Sequence, residues 1–337
     1  MFNYINMSQL RRDPITGRWI IVNYEKNIKP EEFSFEKVVK ENNTEGCPFC
    51  PGNEKMTPPE IVAHRNVGSP DTPGWTIRVV PNKYPALEAK GELEKRGLGV
   101  FDRMNGVGTH EVIVDIPEHT KDVADISDEQ AEEIIWSYVS RSTDLRKDPR
   151  FKYILIFRNY GKSAGASLEH PHSQLIALPI VPKRVNEELH SSMEYYNYKD
   201  RCVFCDILSQ ELSDKERIIE ENDSFICFVP FVSRFPYETW IMPKRHESHF
   251  TDLKKEEVRP LGVILRNNLK KLKKLLNDPP YNYIIHTSPI NGHEKDYYHW
   301  HIEVMPKLVN VAGFEWGSGF YVNPVPPEVA AGNLKKI

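Results

Sequence analysis

Cysteines and histidines recur in this chain at spacings that suit a metal ion. Four of the five cysteines form two close pairs, Cys47-Pro-Phe-Cys50 and Cys202-Val-Phe-Cys205. Two cysteines on one tight turn present both thiolates to the same ion, and Zn²⁺ then needs two more nitrogen or sulfur ligands to complete a tetrahedron. A redox dithiol is the alternative, but such a pair opens a helix in a thioredoxin-like unit, and neither flank has that pattern. The pairs therefore predict two metal sites.

Each cysteine pair is followed by the same order of histidines. His-x-His segments occur at His170-Pro-His172 and at His299-Trp-His301, and side chains two residues apart on a strand point to one face. One histidine of each segment is expected to join a cysteine pair, which predicts two closed structural zinc sites. The predicted ligand sets are Cys47, Cys50, His119 and His170 for the first site, and Cys202, Cys205, His246 and His299 for the second. The rival ligands are His110, His249 and His293.

The stretch from Asn159 to Gln174 combines a loop of small residues with a histidine on the strand that follows. Such a loop lets the backbone come close to a ligand, and consecutive N–H groups suit phosphate oxygens. A neutral imidazole at His172 can attack an α-phosphorus, which divides a nucleotidyl transfer into two steps. Gln174, on the same face, can donate to a phosphate oxygen. The structural alternative is a Ser/Gly loop that enters a strand with core-lining histidines.

The elements that position these residues occur twice. His119 and His246 lie 127 residues apart, and the same offset aligns the helical stretches that begin at Glu129 and Glu256. Each half contains a cysteine pair, a strand, a proline-histidine segment, a long amphipathic helix, a strand and a His-x-His strand. This order predicts an α+β fold of two tandem modules, residues 1–195 and 196–337, each a mainly antiparallel sheet with one long helix. The Gly- and Pro-rich tail after Pro306 is predicted to be an extended arm.

The composition is that of an ordinary soluble globular protein. The 337 residues carry a formal charge of −4, with 27% charged and 39% hydrophobic residues, which excludes a disordered chain and a nucleic-acid polycation. A length of this kind predicts about two domains. No apolar run approaches the roughly 18 residues of a membrane helix, and the start lacks a secretory pattern. We therefore expect a cytoplasmic protein with neither a membrane nor a nucleic acid as its partner.

The segment His170-Pro-His172-Ser-Gln174 resembles the His-Pro-His-x-Gln signature of galactose-1-phosphate uridylyltransferases. These enzymes are the transferase branch of the histidine triad superfamily, in which Gln replaces the third histidine. The resemblance covers nearly the whole chain, since Leu10-Arg-Arg-Asp-Pro-Ile-Thr-Gly-Arg-Trp-Ile looks like the family's opening segment. It implies a double histidine-triad fold, a homodimer, and ping-pong exchange between a UDP-sugar and a hexose 1-phosphate.

The resemblance also assigns roles to individual residues. It implies that His172 is the uridylylated nucleophile, that Gln174 is its phosphate-binding helper, and that the first ligand set above holds zinc. It further implies that Asn82 lies near the nucleoside. The residues implied to contact the nucleotide phosphates and ribose are Asn159, Gly165 and Ser167.

The sequence departs from the family's pattern in ways that matter. Lys26 and Lys29 stand where two arginines are expected on the sugar phosphate, and a lysine supplies charge without a bidentate fork. The lysine expected near the C-terminus is replaced around Gly313. The best-known bacterial members lack a second cysteine pair and use a glutamate and three histidines, which match Glu188, His286, His299 and His301. The cysteines here favour zinc in the second site, with iron as the alternative.

These departures are similar to plant-type ADP-glucose phosphorylase, a relative that forms an adenylyl-histidine. Two transferase functions therefore remain open, and both use a covalent histidine. A hydrolase is less favoured, because Gln174 stands where hydrolytic relatives usually carry a third histidine. A zinc-stapled binding module without turnover is the remaining class.

Overall fold

A computed structural model describes residues 7–38 and 44–337. Its strands are Gln9–Arg12 (β1), Trp19–Val22 (β2), Val62–Arg65 (β3), Trp75–Pro81 (β4), Arg96–Leu98 (β5), Phe101–Arg103 (β6), Thr109–Val114 (β7), Tyr153–Tyr160 (β8), His172–Leu178 (β9), Ile218–Glu221 (β10), Phe225–Phe228 (β11), Thr239–Pro243 (β12), Tyr281–His286 (β13), His301–Pro306 (β14) and Tyr321–Asn323 (β15). Its α-helices are Asp128–Leu145 (α1), Lys183–Lys199 (α2), Val203–Asp214 (α3), Lys255–Leu276 (α4), Gly313–Ser318 (α5) and Pro327–Lys335 (α6).

Local sequence accounts for the start of the first long helix. Ser127 caps α1 by accepting a hydrogen bond from the backbone N–H of Gln130, whose side chain in turn accepts from the N–H of Ser127. This capping box satisfies two N–H groups that the first turn of a helix leaves unpaired. In β8 the buried and half-buried residues alternate along much of the strand, as expected for a strand with two different faces.

A ten-stranded antiparallel sheet joins the two halves of the chain. Its order is β10-β11-β12-β14-β13-β8-β9-β7-β4-β3, and β8 pairs with β13 at the centre, where Asn159 lies opposite Asn282. Read outward from this central pair, the strands of the two halves follow the same order. The predicted α+β duplication is thus confirmed, and one continuous sheet carries both modules. Residue 195, where we place the boundary, lies within α2.

The sheet has a different layer on each face. On one face, α1, α4 and α6 bury the largest apolar cluster, which includes Ile135, Leu265 and Ile302. On the other face, α2 and α3 pack over the second half, and the first cysteine pair packs with Trp75 over the first half. The long helices therefore close one side, and the metal-ligand candidates and His172 lie on the other.

The C-terminal tail is not the extended arm that its composition predicts. It forms α5, pairs β15 in parallel with β2, and ends in α6. Glu328 of α6 accepts hydrogen bonds from Arg11 of β1 at 2.9 and 3.2 Å, which ties the two ends of the chain together. Isolated glycines do not prevent a helix where tertiary contacts stabilise the flanking segments.

Gly262 allows α1 and α4 to touch, and a Gly262→Ala substitution is expected to lower stability. A Cβ at this position would lie 2.5 Å from the carbonyl oxygen of Ala131 on α1, and this backbone cannot move aside cheaply. Overpacking of this kind costs about 1–3 kcal/mol. Gly332→Ala in α6 is the matched control, because its Cβ meets open space and alanine favours a helix by about 1 kcal/mol. Urea unfolding of both variants would measure the difference, and equal stabilities would contradict this account.

Candidate active site and metal clusters

The backbone fixes the imidazole of His172 in the state that a nucleophile needs. His172 opens β9 and is 6% exposed, and its Nδ1 lies 2.8 Å from the carbonyl oxygen of His170. A carbonyl only accepts, so Nδ1 carries the proton and Nε2 keeps its lone pair. Burial lowers the pKa of His172 to about 4, which keeps the ring neutral at neutral pH. Nε2 is therefore a free, unprotonated nitrogen.

A buried polar network supports the strand beneath His172. Arg158 donates to the carbonyl oxygen of His172 at 3.3 Å and forms a buried ion pair with Asp115. Ser173, whose side chain points to the opposite face from His172, donates to Asp115 at 3.0 Å and contacts the hydroxyl of Tyr138 on α1 at 2.5 Å. These contacts hold β9 against the helix layer.

Two cavities meet at His172. The first, of about 410 Å³, also reaches Gln174, and the second, of about 340 Å³, extends beside the loop of small residues. His172, Ser167 and Leu168 line both of them. The first cavity is lined in addition by Pro48, Phe49, Met56, Thr57, Pro58, Val80, Pro81, Asn82, Lys83, Tyr84 and Val112. The second cavity is lined in addition by Glu36, Lys37, Val38, Arg158, Asn159, Tyr160, Gly161, Lys162, Ala166, Glu169 and His170.

Residues from both halves hold the loop of small residues in place. Asn282 of β13 donates to the side-chain oxygen of Asn159 and to the carbonyl oxygen of Ala164, each at 2.8 Å. Asn159 donates in turn to the carbonyl oxygen of Gly165 at 3.4 Å. Gly165 has a φ of +92°, a conformation that favours glycine. Asn282 was not among the residues predicted for the site, because its position opposite Asn159 depends on the register between β8 and β13.

The predicted phosphate-binding lysines lie elsewhere. Lys26 and Lys29 are exposed on the segment after β2, and neither is among the described residues that line the two cavities. Lys37 and Lys162 line the second cavity instead. The contribution of Lys26 and Lys29 stays a prediction.

The first predicted ligand set comes together as a buried cluster. One ligand atom from each of Cys47, Cys50, His119 and His170 lies within 4.8 Å of all the others. His170 presents Nδ1 to Cys50, because its Nε2 lies 2.8 Å from the carbonyl oxygen of Ile116 and carries the proton. A carbonyl that orients the non-ligating nitrogen in this way is typical of histidine ligands. Two thiolates and two imidazoles are a donor set that suits a tetrahedral ion.

The second predicted set forms an equivalent cluster in the other half. Cys202, Cys205, His246 and His299 also lie within 4.8 Å of one another. His299 presents Nδ1 to Cys205, since its Nε2 lies 3.0 Å from the carbonyl oxygen of Pro243. Cys202 is the N-cap residue of α3, so this pair opens a helix, but the element before α3 is the helix α2 and not the strand of a thioredoxin-like unit. The two histidine neighbours of the pair also match a metal site better than a redox dithiol.

The glutamate and histidines of the alternative second site do not join this cluster. Glu188, His286 and His301 form a separate buried group, and His299 lies with the cysteines. Burial alone would lower the pKa of His286, but the carboxylates of Glu188 and Glu303 outweigh it and raise this pKa to about 10. His286 is thus held between two carboxylates as an imidazolium.

The second half repeats the position of His172 without its open space. By strand order and register, His301 and Glu303 of β14 correspond to His172 and Gln174 of β9. The ring of His301 stacks between His286 and Trp240, with ring centroids 4.7 Å away on each side. The cavity that reaches His301 measures only about 30 Å³. The first half alone therefore combines this histidine with room for a ligand in the described part of the chain.

Comparison with known proteins gives matches along nearly the whole chain. Family models for the N-terminal and C-terminal domains of galactose-1-phosphate uridyl transferase match residues 1–182 and 186–320. An ADP-glucose phosphorylase of Arabidopsis thaliana is 37% identical over 98% of this chain and 93% of its own length. A galactose-1-phosphate uridylyltransferase of Thermotoga maritima is 32% identical over 98% of each chain.

A solved structure has a similar overall fold. The crystal structure of an ADP-glucose phosphorylase from Arabidopsis thaliana with bound ADP-glucose covers 98% of this chain and 99% of its own, with a TM-score of 0.82 and 35% identity. The fold and the site thus define a protein of two tandem modules that share one sheet, with one open histidine site among the described residues. The chain belongs to the galactose-1-phosphate uridylyltransferase family.

The described residues contain no helix with the length and apolar character needed to cross a lipid bilayer.

Proposed function

We propose that the protein is a nucleotidyltransferase that exchanges a nucleotidyl group between a UDP-sugar and a hexose 1-phosphate through a covalent intermediate on His172. The main observation behind this proposal is the hydrogen bond from Nδ1 of His172 to the carbonyl oxygen of His170. It leaves the lone pair of Nε2 available for attack. His172 lines both cavities. Family membership supports the same chemistry.

The reaction has two balanced steps. In the first, the Nε2 lone pair attacks the α-phosphorus of the nucleotide sugar, the N–P bond forms, and the P–O bond to the sugar phosphate breaks with its electron pair. In the second, an oxygen of the incoming hexose 1-phosphate attacks that phosphorus, and the electron pair of the N–P bond returns to Nε2. The carbonyl oxygen of His170 accepts the hydrogen bond from Nδ1–H throughout and stabilises the positive charge on the bonded ring.

The two cavities suit the two parts of the donor. Phe49, Val80, Pro81 and Tyr84 give the first cavity apolar and aromatic walls, which suit a base. The second cavity is lined by charged groups of both signs, Glu36 and Glu169 beside Lys37 and Lys162, and the two lysines suit phosphate groups. Ser167 lines both, as a residue between base and sugar should. The roles of Asn82, Asn159, Gly165 and Gln174 follow the family resemblance.

The metal clusters are proposed to hold zinc, with iron as the alternative in the second. When bound, zinc would cross-link each cysteine turn to the sheet and leave no coordination position for a substrate. Phe49, between the first two cysteines, packs against the rings of His170 and His172, with centroids 6.2 and 5.3 Å away. The first cluster therefore positions the nucleophile, and the second stabilises the other half.

A second candidate function is an ADP-sugar phosphorylase with an adenylyl-histidine. The observation that favours it is the greater identity to the Arabidopsis ADP-glucose phosphorylase, 37% against 32% for the Thermotoga uridylyltransferase. In this reaction inorganic phosphate takes the place of the hexose 1-phosphate in the second step. In either case the protein is proposed to form a homodimer, as the family resemblance implies, and to act in the cytoplasm.

Trapping the intermediate tests both candidates. Protein incubated with UDP-glucose or ADP-glucose labelled at the α-phosphate should carry base-stable, acid-labile label on His172. Label from UDP-glucose that a hexose 1-phosphate releases as a UDP-sugar supports the uridylyltransferase. Label from ADP-glucose alone, released by inorganic phosphate as ADP, supports the phosphorylase. No label from either would refute a covalent nucleotidyl-histidine.

A further inference from the structure

The imidazole of His110 contacts the amide of Gln174 beside the nucleophile. His110 lies on β7 and Gln174 on the neighbouring β9, and Ile176 is the residue directly opposite His110. The two side chains are thus diagonal neighbours on the face that also carries His172. Nε2 of His110 lies 2.8 Å from Oε1 of Gln174. This is the distance of a well-formed hydrogen bond.

The groups around Nδ1 settle which nitrogen of His110 carries the proton. The backbone N–H of Ala86 points at Nδ1 from 3.3 Å, and a backbone N–H can only donate. The amide nitrogen of Asn82 lies near both ring nitrogens, 3.4 Å from Nδ1 and 3.1 Å from Nε2, so the contact that distinguishes them is the one from Ala86. The amide nitrogen faces the ring because Oδ1 of Asn82 accepts from the N–H of Tyr84 at 2.9 Å. Nδ1 is therefore the acceptor, and Nε2 holds the proton.

This tautomer determines how Gln174 faces the site. The Nε2–H of His110 donates to Oε1 of Gln174, so Oε1 is engaged and the two N–H bonds of the amide point away from His110. Gln174 lines the first cavity together with His172. A reversed amide would place an oxygen where a phosphate oxygen gains negative charge in the transition state, which would be repulsive.

We propose that His110 is a positioning residue that fixes the orientation of the Gln174 amide, so that its N–H groups face the phosphate. The inference deepens the proposed function and rests on it. His110 also joins the wall of the first cavity to Gln174, because Asn82 and Tyr84 line that cavity and Asn82 donates its backbone N–H to the carbonyl of His110 at 2.8 Å. A base bound against Asn82 would thus contact a residue that is hydrogen-bonded to His110, which in turn contacts Gln174.

A double-mutant cycle tests the coupling. His110→Phe keeps a ring of similar size and removes both nitrogens, and Gln174→Ala removes the amide. We expect the single-turnover labelling rate to fall roughly 10-fold in His110→Phe and roughly 100-fold in Gln174→Ala, with the donor's binding constant changed less than the rate. In the Gln174→Ala background, His110→Phe should have almost no further effect. His110→Gln, which can return an N–H to this region, should recover part of the rate.

Further measurements separate this inference from the proposed function. His190→Phe is the matched control, since His190 lies on the solvent-exposed side of α2, and it should label at the parent rate. Multiplicative losses in the double variant would overturn the proposal, because His110 would then act independently of Gln174. Absence of labelling in the parent protein would instead refute the proposed function.

The tautomer can be read without any turnover. Nitrogen-15 NMR of histidine-labelled protein, with the His110→Phe spectrum as the assignment reference, should show a protonated Nε2 and an unprotonated Nδ1. A proton on Nδ1 would overturn the proposal whether or not the protein is active.

Discussion

Replacing His172 with alanine is expected to abolish formation of the covalent intermediate and to lower the overall transfer rate by roughly 10⁴-fold or more. The substitution removes the atom that bonds to phosphorus. His170 also lines the second cavity but cannot replace His172, because its Nδ1 faces Cys50 and its Nε2 lies against the carbonyl oxygen of Ile116. The measurement is intact mass after rapid quenching with UDP-glucose and with ADP-glucose. The parent should gain one nucleoside monophosphate, and the variant should gain none.

His301→Ala is the control for this experiment, because His301 occupies the equivalent position in the second half. It should cost stability, since the ring is buried between His286 and Trp240, but each folded molecule should still be labelled. An adduct that persists in His172→Ala, or that disappears in folded His301→Ala, would show that the nucleophile is assigned to the wrong residue.

Loss of the first metal should impair activity much more than loss of the second. Cys47→Ser breaks a cluster whose ligand His170 lies two residues before the nucleophile and whose Phe49 packs on the nucleophile's ring. Mutations that disturb the groups around a metal site typically lower metal affinity or activity by about 10–100-fold. We expect a loss of about that size in the labelling rate. The Cys47→Ser protein should also unfold more easily than the parent, because the free energy of metal binding contributes to folding.

Cys202→Ser supplies the matched comparison, since it breaks the equivalent cluster in the half without an open site. We expect one metal per chain fewer in each variant, a lower melting temperature in both, and a near-normal labelling rate per folded molecule only in Cys202→Ser. Metal analysis, thermal unfolding and single-turnover labelling measure the three quantities. Full activity in a Cys47→Ser protein that has lost its metal would refute the positioning role.

Short-range patterns in the sequence predicted much of the fold. The alternation of apolar residues and the offset between His119 and His246 are properties of short segments, so they predict the strands, the long helices and the duplication before any contact is known. The tail after Pro306 differs from what its local composition predicts. Its glycines and prolines predict an extended arm, whereas packing against the rest of the chain produces α5 and α6.

The metal-ligand sets were predictable for a related reason. A short cysteine pair is confined to one turn, and His-x-His on a strand limits which histidine can reach it, so few combinations remained. Chain order alone could not decide between the two candidate groups for the second site. The structure places His299 with Cys202 and Cys205, and places Glu188 with His286 and His301, because the pairing of β12, β13 and β14 sets those distances.

By itself, the sequence determined the duplicated α+β fold, both cysteine–histidine clusters, and the choice of His172 and Gln174 as the residues that face a ligand. Only the tertiary structure decided that His172 opens onto two cavities whereas His301 is stacked between two rings, that Asn282 holds the loop beside Asn159, and that His110 contacts Gln174. The physical reason is the distance along the chain between the residues that interact. Periodicity reports the face on which a side chain lies, but cavities and hydrogen bonds form between residues far apart in the chain, and strand register and packing bring those residues together.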